Sequence, residues 1–330
     1  MSLVFFSRGR TSLFAIRDKI KIMYDLMIIG AGPAGLTASI YASRFKINHL
    51  VIGDPFGSSL AKAHMIENWP GEKSIKGSDL LMKFLEHAQG LGGEVLFDNA
   101  VSVKREGEIF KIRTSTDKIF ESKSVVLCSG TKERKLDVPG ETEFLGRGVS
   151  YCAVCDGAFF KGKTVAVVGG GNSAVMAALM LSEHSEKVYL IHRKDTFRSE
   201  PVMLERIKES PKIEIIVNTN ITEIKGDSKV GSVVLDTEYK GLNELVLDGV
   251  FVEVGLTPNS VLLGDLGVET DAQGHIVVDA GGATNIEGLY AAGDVSGGSN
   301  GIRQILSASS EGMVSVSSIY NFLKTKQGTK

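Results

Sequence analysis

Residues 24–35, Tyr24-Asp25-Leu26-Met27-Ile28-Ile29-Gly30-Ala31-Gly32-Pro33-Ala34-Gly35, run from a short apolar segment through a glycine-rich turn into the helix-like stretch 36–45. Strand, tight turn and helix stand in the order that a dinucleotide-binding unit demands. Gly30 makes the turn, Gly32 lets the backbone approach a pyrophosphate, and Gly35 lets helix and strand pack closely. Pro33 and Ala34 fall in the first helical turn, whose unpaired amides suit a phosphate. Residues 49–52 form a second strand that ends beside Asp54, where a carboxylate would meet ribose hydroxyls. Asp54 serves equally as a turn residue ahead of Pro55.

The same pattern recurs downstream. Residues 163–168 read as a strand, Gly169-Gly170-Gly171-Asn172-Ser173-Ala174 as a second glycine turn of the form G-x-G-x-x-A, 175–182 as a helix and 187–191 as the next strand. At the end of that strand, where an NAD site carries an acid, stand His192, Arg193, Lys194 and, shortly after, Arg198. A carboxylate there repels a 2′-phosphate, whereas guanidinium and ammonium groups pair with it. The second nucleotide is therefore expected to be NADPH, the alternative being a solvated basic turn.

Between the two turns lies Cys152-Ala153-Val154-Cys155-Asp156-Gly157. Two thiols two residues apart can close into a disulfide and reopen, one thiolate attacking and the other resolving. Asp156 is placed to move the proton that this requires. A zinc site needs about four ligands, yet the chain adds only Cys128 and six histidines with no H-x3-5-H pair, so no metal is expected. A nicotinamide donates a hydride and a dithiol pair accepts electrons, with a flavin as the usual intermediary. One of the two sites is therefore expected to hold a resident flavin and the other a nucleotide that comes and goes.

At 330 residues and 35.4 kDa the chain exceeds what one hydrophobic core supports, which favours two domains. A net charge of −2, with no basic run interleaved with aromatics, excludes a nucleic-acid partner. No apolar run approaches the roughly 18 residues that span a bilayer. Three cysteines in so long a chain argue against a disulfide scaffold and for a reducing compartment, here the cytoplasm. Residues 1–22 are basic against a single acid, Asp18; they read as a transit peptide or, preferably, as an upstream start or appended leader, since Met23 stands just before the first strand.

The remaining segments support the two units. Residues 56–77 are loop-rich around Asn68-Trp69-Pro70-Gly71, and 80–91 read as an amphipathic helix. Short runs at 94–97, 109–113 and 124–128 suggest a small antiparallel layer, ending in Ser129-Gly130-Thr131, with Cys128 a buried small hydrophobe. Strands dominate 213–254. Residues 288–294 form an apolar strand that passes Gly293 and ends in Asp294, a carboxylate able to accept from flavin ribityl hydroxyls. Apolar spacing over 302–323 predicts a final helix with Arg303 and Gln304 in its first turn, its positive end near the flavin pyrimidine edge.

GAGPAG, ENWPG, CAVCDG, GGGNSA, HRKDTFR, AAGD and RQ occur in the order found in bacterial-type, low-molecular-weight thioredoxin reductases. From Tyr24 to about Leu323 the chain resembles that family. The resemblance implies an α/β fold of two Rossmann-like dinucleotide-binding domains, each a three-layer parallel sheet with a small antiparallel sheet, one inserted in the other. Residues 23–134 and 256–330 would bind FAD, and 135–255 would bind NADPH and carry the redox disulfide. FAD would rest on Gly30, Gly32, Pro33, Ala34, Gly35, Asp54, Leu60, Asn68, Gly130, Gly293, Asp294, Arg303 and Gln304. NADPH would rest on Gly169, Gly171, Asn172, Ser173, Ala174, His192, Arg193, Lys194 and Arg198. Cys155 would face the flavin, Cys152 would attack the thioredoxin disulfide, and Asp156 would be the acid, in a homodimer.

Thiols and nicotinamide carried on one domain cannot both touch one flavin face, so that domain is expected to rotate, with 130–137 and 255–259 as the two crossings. The chain departs from the family at Gly57-Ser58-Ser59-Leu60, where a glycine pair and a flavin-contacting glutamine are usual, and at Lys194, usually arginine; its final helix is also unusually rich in serine. The expected activity is an NADPH-dependent thioredoxin-disulfide reductase. Alternatives are a reductase of another disulfide carrier, a dithiol oxidase, which has no need of Arg193, Lys194 and Arg198, and a non-enzymatic redox sensor.

Overall fold

The computed structural model describes residues 23–328; the expectation for 1–22 lies outside them. The strand Met23–Ile29 pairs in parallel with His49–Ile52 on one side and Ile119–Leu127 on the other. Glu94–Leu96 extends the sheet beyond His49–Ile52, and Leu289–Ala291, from the far end of the chain, pairs in parallel with Ile119–Leu127. The first half of Ile119–Leu127 also pairs antiparallel with Ile109–Thr114, which pairs with Ala100–Glu106. Both faces of this sheet are covered, which explains why its strands read as continuous apolar runs. Leu26, Ile28 and Val51 pack against the helices Pro33–Arg44, Gly77–Gly90 and Ile305–Gly328, while Met27, Ile29 and Leu50 pack against Phe110 and Leu263.

A second body lies between the two pieces of the first. Its parallel sheet runs, in spatial order, Val149–Ser150, Gly249–Val252, Thr164–Val168, Lys187–Ile191, Ile213–Ile216. The helix Asn172–His184 covers one face, and the antiparallel strands Ile221–Gly226, Val230–Tyr239 and Leu242–Val246 contribute to the core on the other. The two passages between the bodies lie side by side, because Thr131–Glu133 pairs antiparallel with Leu256–Pro258.

Helix boundaries differ from the apolar periodicity for local reasons. Pro33 opens its helix earlier than expected because its ring presets φ for the first turn. The final helix starts at Ile305, later than expected. The Ser307 hydroxyl accepts the Gln304 N–H and lies 2.9 Å from both the Ile302 and Gln304 carbonyls, which share its one proton, so Arg303 and Gln304 lie in the connector before the helix. Gly312 lets this helix lie on the first one: a Cβ there would fall 2.2 Å from the Ala34 carbonyl oxygen. Gly312→Ala is expected to destabilise the protein by about 1–3 kcal/mol through overpacking. Thermal unfolding checks this, and an unchanged melting temperature would show that the two helices part freely.

Candidate active site

The two bodies face each other across a cavity of about 1610 Å³, larger than the roughly 300–1,000 Å³ of ordinary small-molecule sites. Gly30, Gly32, Pro33 and Ala34 form one end of its wall, and Asp54, Leu60, Asn68 and Gly130 continue it. Gly293, Asp294, Arg303 and Gln304 complete the first body's share. The second body contributes Asn172 and Ser173 together with an apolar group, Met176, Leu179, Met180 and Met203. Gly35 stands behind the wall, where a Cβ would lie 1.8 Å from the Gly30 carbonyl oxygen.

The first wall fits a flavin dinucleotide. Gly32 caps its helix without any side-chain hydrogen bond, and a Cβ there would meet nothing nearer than the Ser58 Cβ at 3.7 Å, so the amides at the helix start are open to a pyrophosphate. Asp54 acts as a turn residue, its Oδ1 accepting the Phe56 N–H at 3.0 Å, and it also lines the cavity. The Asp294 carboxyl accepts no hydrogen bond among the described residues, leaving acceptors for ribityl hydroxyls. Burial raises its pKa, and the Arg303 charge opposes that shift. Its turn is held from behind by Glu311, whose Oε2 accepts the Gly293 N–H and the Ser296 hydroxyl, each at 2.8 Å. Asn68 donates to the Gln304 Oε1 at 3.1 Å. At the divergent segment, Ser58 Oγ accepts the Ala61 N–H, so this serine serves its own turn.

The second glycine turn fits another phosphate-bearing ligand. Gly171 caps the helix Asn172–His184 with no side-chain bond and with open space beside it, whereas Gly169 and Ala174 are closely packed. The Arg198 N–H donates to the Gly170 carbonyl at 2.7 Å and clips the basic loop onto the turn. Arg193, Lys194 and Arg198 are exposed and pair with no carboxylate among the described residues. His192 takes a different place from these three. It is 7% exposed, its ring lies beneath Gly170, and Nε2 meets the Thr196 carbonyl at 3.1 Å. Burial lowers its pKa, and the Arg193, Arg198 and Lys194 charges act in the same direction; the ring supports the loop from inside. Asn172 Oδ1 accepts the Ser199 hydroxyl and the Glu200 N–H.

Cys152 and Cys155 form a disulfide with Cα atoms 5.3 Å apart. Cys152 caps the short helix Ala153–Asp156, its sulfur accepting the Cys155 N–H. Cys155 is exposed, and neither sulfur nor Asp156 lines the cavity. Gly157 seats this turn on Met180 and Leu181. Across the cavity mouth, Arg206 meets Glu67 at 2.8 Å, and Lys62 pairs with Glu133 on the crossing strand. At the other crossing, burial and then Glu133 push the Glu253 carboxyl up to about 7, against Lys62. Sequence reading missed the methionine wall, whose signal was Met176 and Met180 at helical spacing. It also missed Glu311, Ser150 and the Arg206–Glu67 pair, which no local pattern marks.

Two open helix starts on one cavity, a free cationic loop and a disulfide closed across two intervening residues define a nucleotide-dependent disulfide oxidoreductase. The family described as pyridine nucleotide-disulphide oxidoreductase matches residues 24–312. The chain belongs to that family and, within it, to the thioredoxin reductases, flavoprotein oxidoreductases that use FAD and NADPH. It is 39% identical to thioredoxin reductase of Bacillus subtilis (strain 168) over 93% of this chain and 97% of that protein. Identity to the Listeria innocua thioredoxin reductase is 42% over 88% and 91%. The crystal structure of Lactococcus lactis thioredoxin reductase in its FR conformation matches with a TM-score of 0.87 at 39% identity, covering 92% of this chain and 99% of that one. Streptococcus pyogenes thioredoxin reductase, at 35% identity and 93% and 100% coverage, gives 0.61.

Proposed function

We propose that this chain reduces the disulfide of thioredoxin with electrons from NADPH, cycling Cys152–Cys155 between disulfide and dithiol. One observation carries this: the sulfur pair and the cationic loop sit on the same body, and that body closes a cavity whose opposite wall suits a flavin dinucleotide. When bound, FAD supplies the two-electron carrier between nicotinamide and sulfur. Gly30, Gly32, Pro33, Ala34 and Gly35 shape its pyrophosphate cradle. Asp54, Leu60, Asn68, Gly130, Gly293, Asp294, Arg303 and Gln304 orient the rest. Gly169, Gly171, Asn172, Ser173 and Ala174 receive the second nucleotide, and Arg193, Lys194 and Arg198 grip its 2′-phosphate. Met176, Met180 and Met203 close the cavity against water. Cys152 attacks the partner disulfide, Cys155 resolves the adduct, and Asp156 moves the proton.

Residues 135–255 act as the inserted, nucleotide- and thiol-bearing domain, rotating on the paired crossings. In the pose described here the sulfurs lie away from the cavity and the second helix start faces it, which suits delivery of the nucleotide. Two relatives matched at nearly full coverage with TM-scores of 0.87 and 0.61 support a fold whose bodies take more than one relative placement. The working form we propose is a cytoplasmic homodimer. Anaerobic addition of NADPH to the FAD-loaded protein is expected to bleach its flavin absorbance, and oxidised thioredoxin is expected to restore it. Material that binds no FAD, or that NADPH leaves unbleached, would end this assignment.

A further inference from the structure

Ser150 ends the edge strand Val149–Ser150 and is 4% exposed. Its hydroxyl stands 2.6 Å from Asp156 Oδ2 and accepts the Cys152 N–H at 3.0 Å, with the Cys152 carbonyl farther off at 3.3 Å. A hydroxyl has one proton to give, and the short contact to a carboxylate oxygen is the charge-assisted one, so Ser150 donates to Asp156. The backbone around it is fixed as well. Tyr151 donates to Glu141 Oε1 at 2.8 Å, and the same buried carboxylate takes the Leu136 and Asp137 amides. One hydroxyl thus ties the Asp156 side chain to the amide of Cys152. Asp156 Oδ1 carries no hydrogen bond among the described residues, which leaves that oxygen free to carry a proton.

We propose that Ser150 is the positioning residue for Asp156, holding Oδ2 so that Oδ1 faces the reacting sulfurs. This rests on Asp156 being the acid of the proposed reaction. In that reaction Cys152 first releases its proton to solvent, and the thiolate attacks the partner disulfide, whose S–S bond breaks as a mixed disulfide forms. The departing partner sulfur takes the proton from the Asp156 carboxyl. Cys155 then gives its proton back to Asp156, attacks the Cys152 sulfur and re-forms the intramolecular disulfide. The second partner sulfur leaves and takes up a proton from solvent. The partner gains two electrons and two protons, and the enzyme dithiol loses the same.

General acid catalysis contributes about 10²–10⁴-fold, and a misplacement of about 1 Å can cost up to about 10²-fold. In the FAD-loaded full chain, Ser150→Ala is therefore expected to lower kcat for thioredoxin disulfide by about 10- to 100-fold. KM for thioredoxin and the rate of flavin bleaching by NADPH should stay unchanged. Ser150→Thr, which keeps the hydroxyl, should recover most of kcat, and Ser150→Ala should cost nothing further on an Asp156→Asn background. A full kcat in Ser150→Ala beside a crippled Asp156→Asn would overturn the positioning role alone. So would an equal loss from Ser150→Ala on the Asp156→Asn background, or no recovery with threonine. A full kcat in Asp156→Asn would overturn the acid assignment and the positioning role with it.

Discussion

Cys155→Ser is expected to bring NADPH-driven reduction of thioredoxin disulfide below about a thousandth of the parent rate while flavin bleaching by NADPH continues. The two effects separate because neither sulfur lines the cavity, so the nucleotide side of the site keeps its walls. A serine hydroxyl near neutral pH is neither a useful nucleophile nor a partner for a closed disulfide, and removal of one member of a unit that acts together costs nearly everything the unit supplies. Cys152 caps the Ala153–Asp156 helix and remains able to attack an activated aromatic disulfide once the protein is reduced. It should release one equivalent of aromatic thiol and then stop, because nothing resolves the adduct. Steady turnover by Cys155→Ser above a tenth of the parent rate would show that the sulfur pair is not the relay.

The parts of this site that were legible in the sequence are those decided by a few consecutive residues. Gly30, with φ of +116° and a carbonyl where its Cβ would stand, cannot be another residue without moving the backbone, and the turn around it announces itself. The Cys152–Cys155 spacing closes a disulfide within one helical turn. What stayed hidden depends on which way a side chain points or on contacts far apart in the chain. His192 follows a buried strand end, and only the structure shows its ring under Gly170 while Arg193 beside it faces solvent. Asn172 opens the second helix, and only the structure shows its Oδ1 holding Ser199 and Glu200. Glu311 reaches Gly293, and Arg206 reaches Glu67, only after the chain has folded back on itself.

Replacing Arg193, Lys194 and Arg198 together by neutral residues of similar length is expected to raise KM for NADPH by about 100-fold or more and to leave KM for NADH within a few fold. Hydrogen bonds to a charged group are worth about 1.5–3 kcal/mol each, and about 1.4 kcal/mol is a factor of ten. Two such contacts suffice for the effect, even after discounting for the solvent that surrounds an exposed loop. The three cations spend nothing on internal ion pairs among the described residues, so they are available to a dianionic phosphate. The Arg198 backbone contact to Gly170 does not depend on its side chain, so the glycine turn should survive the change and still take NADH. Salt gives an independent check: in the parent protein, rising ionic strength should weaken NADPH more than NADH, and in the triple variant that difference should vanish. Equal KM changes for both nucleotides would place the 2′-phosphate elsewhere.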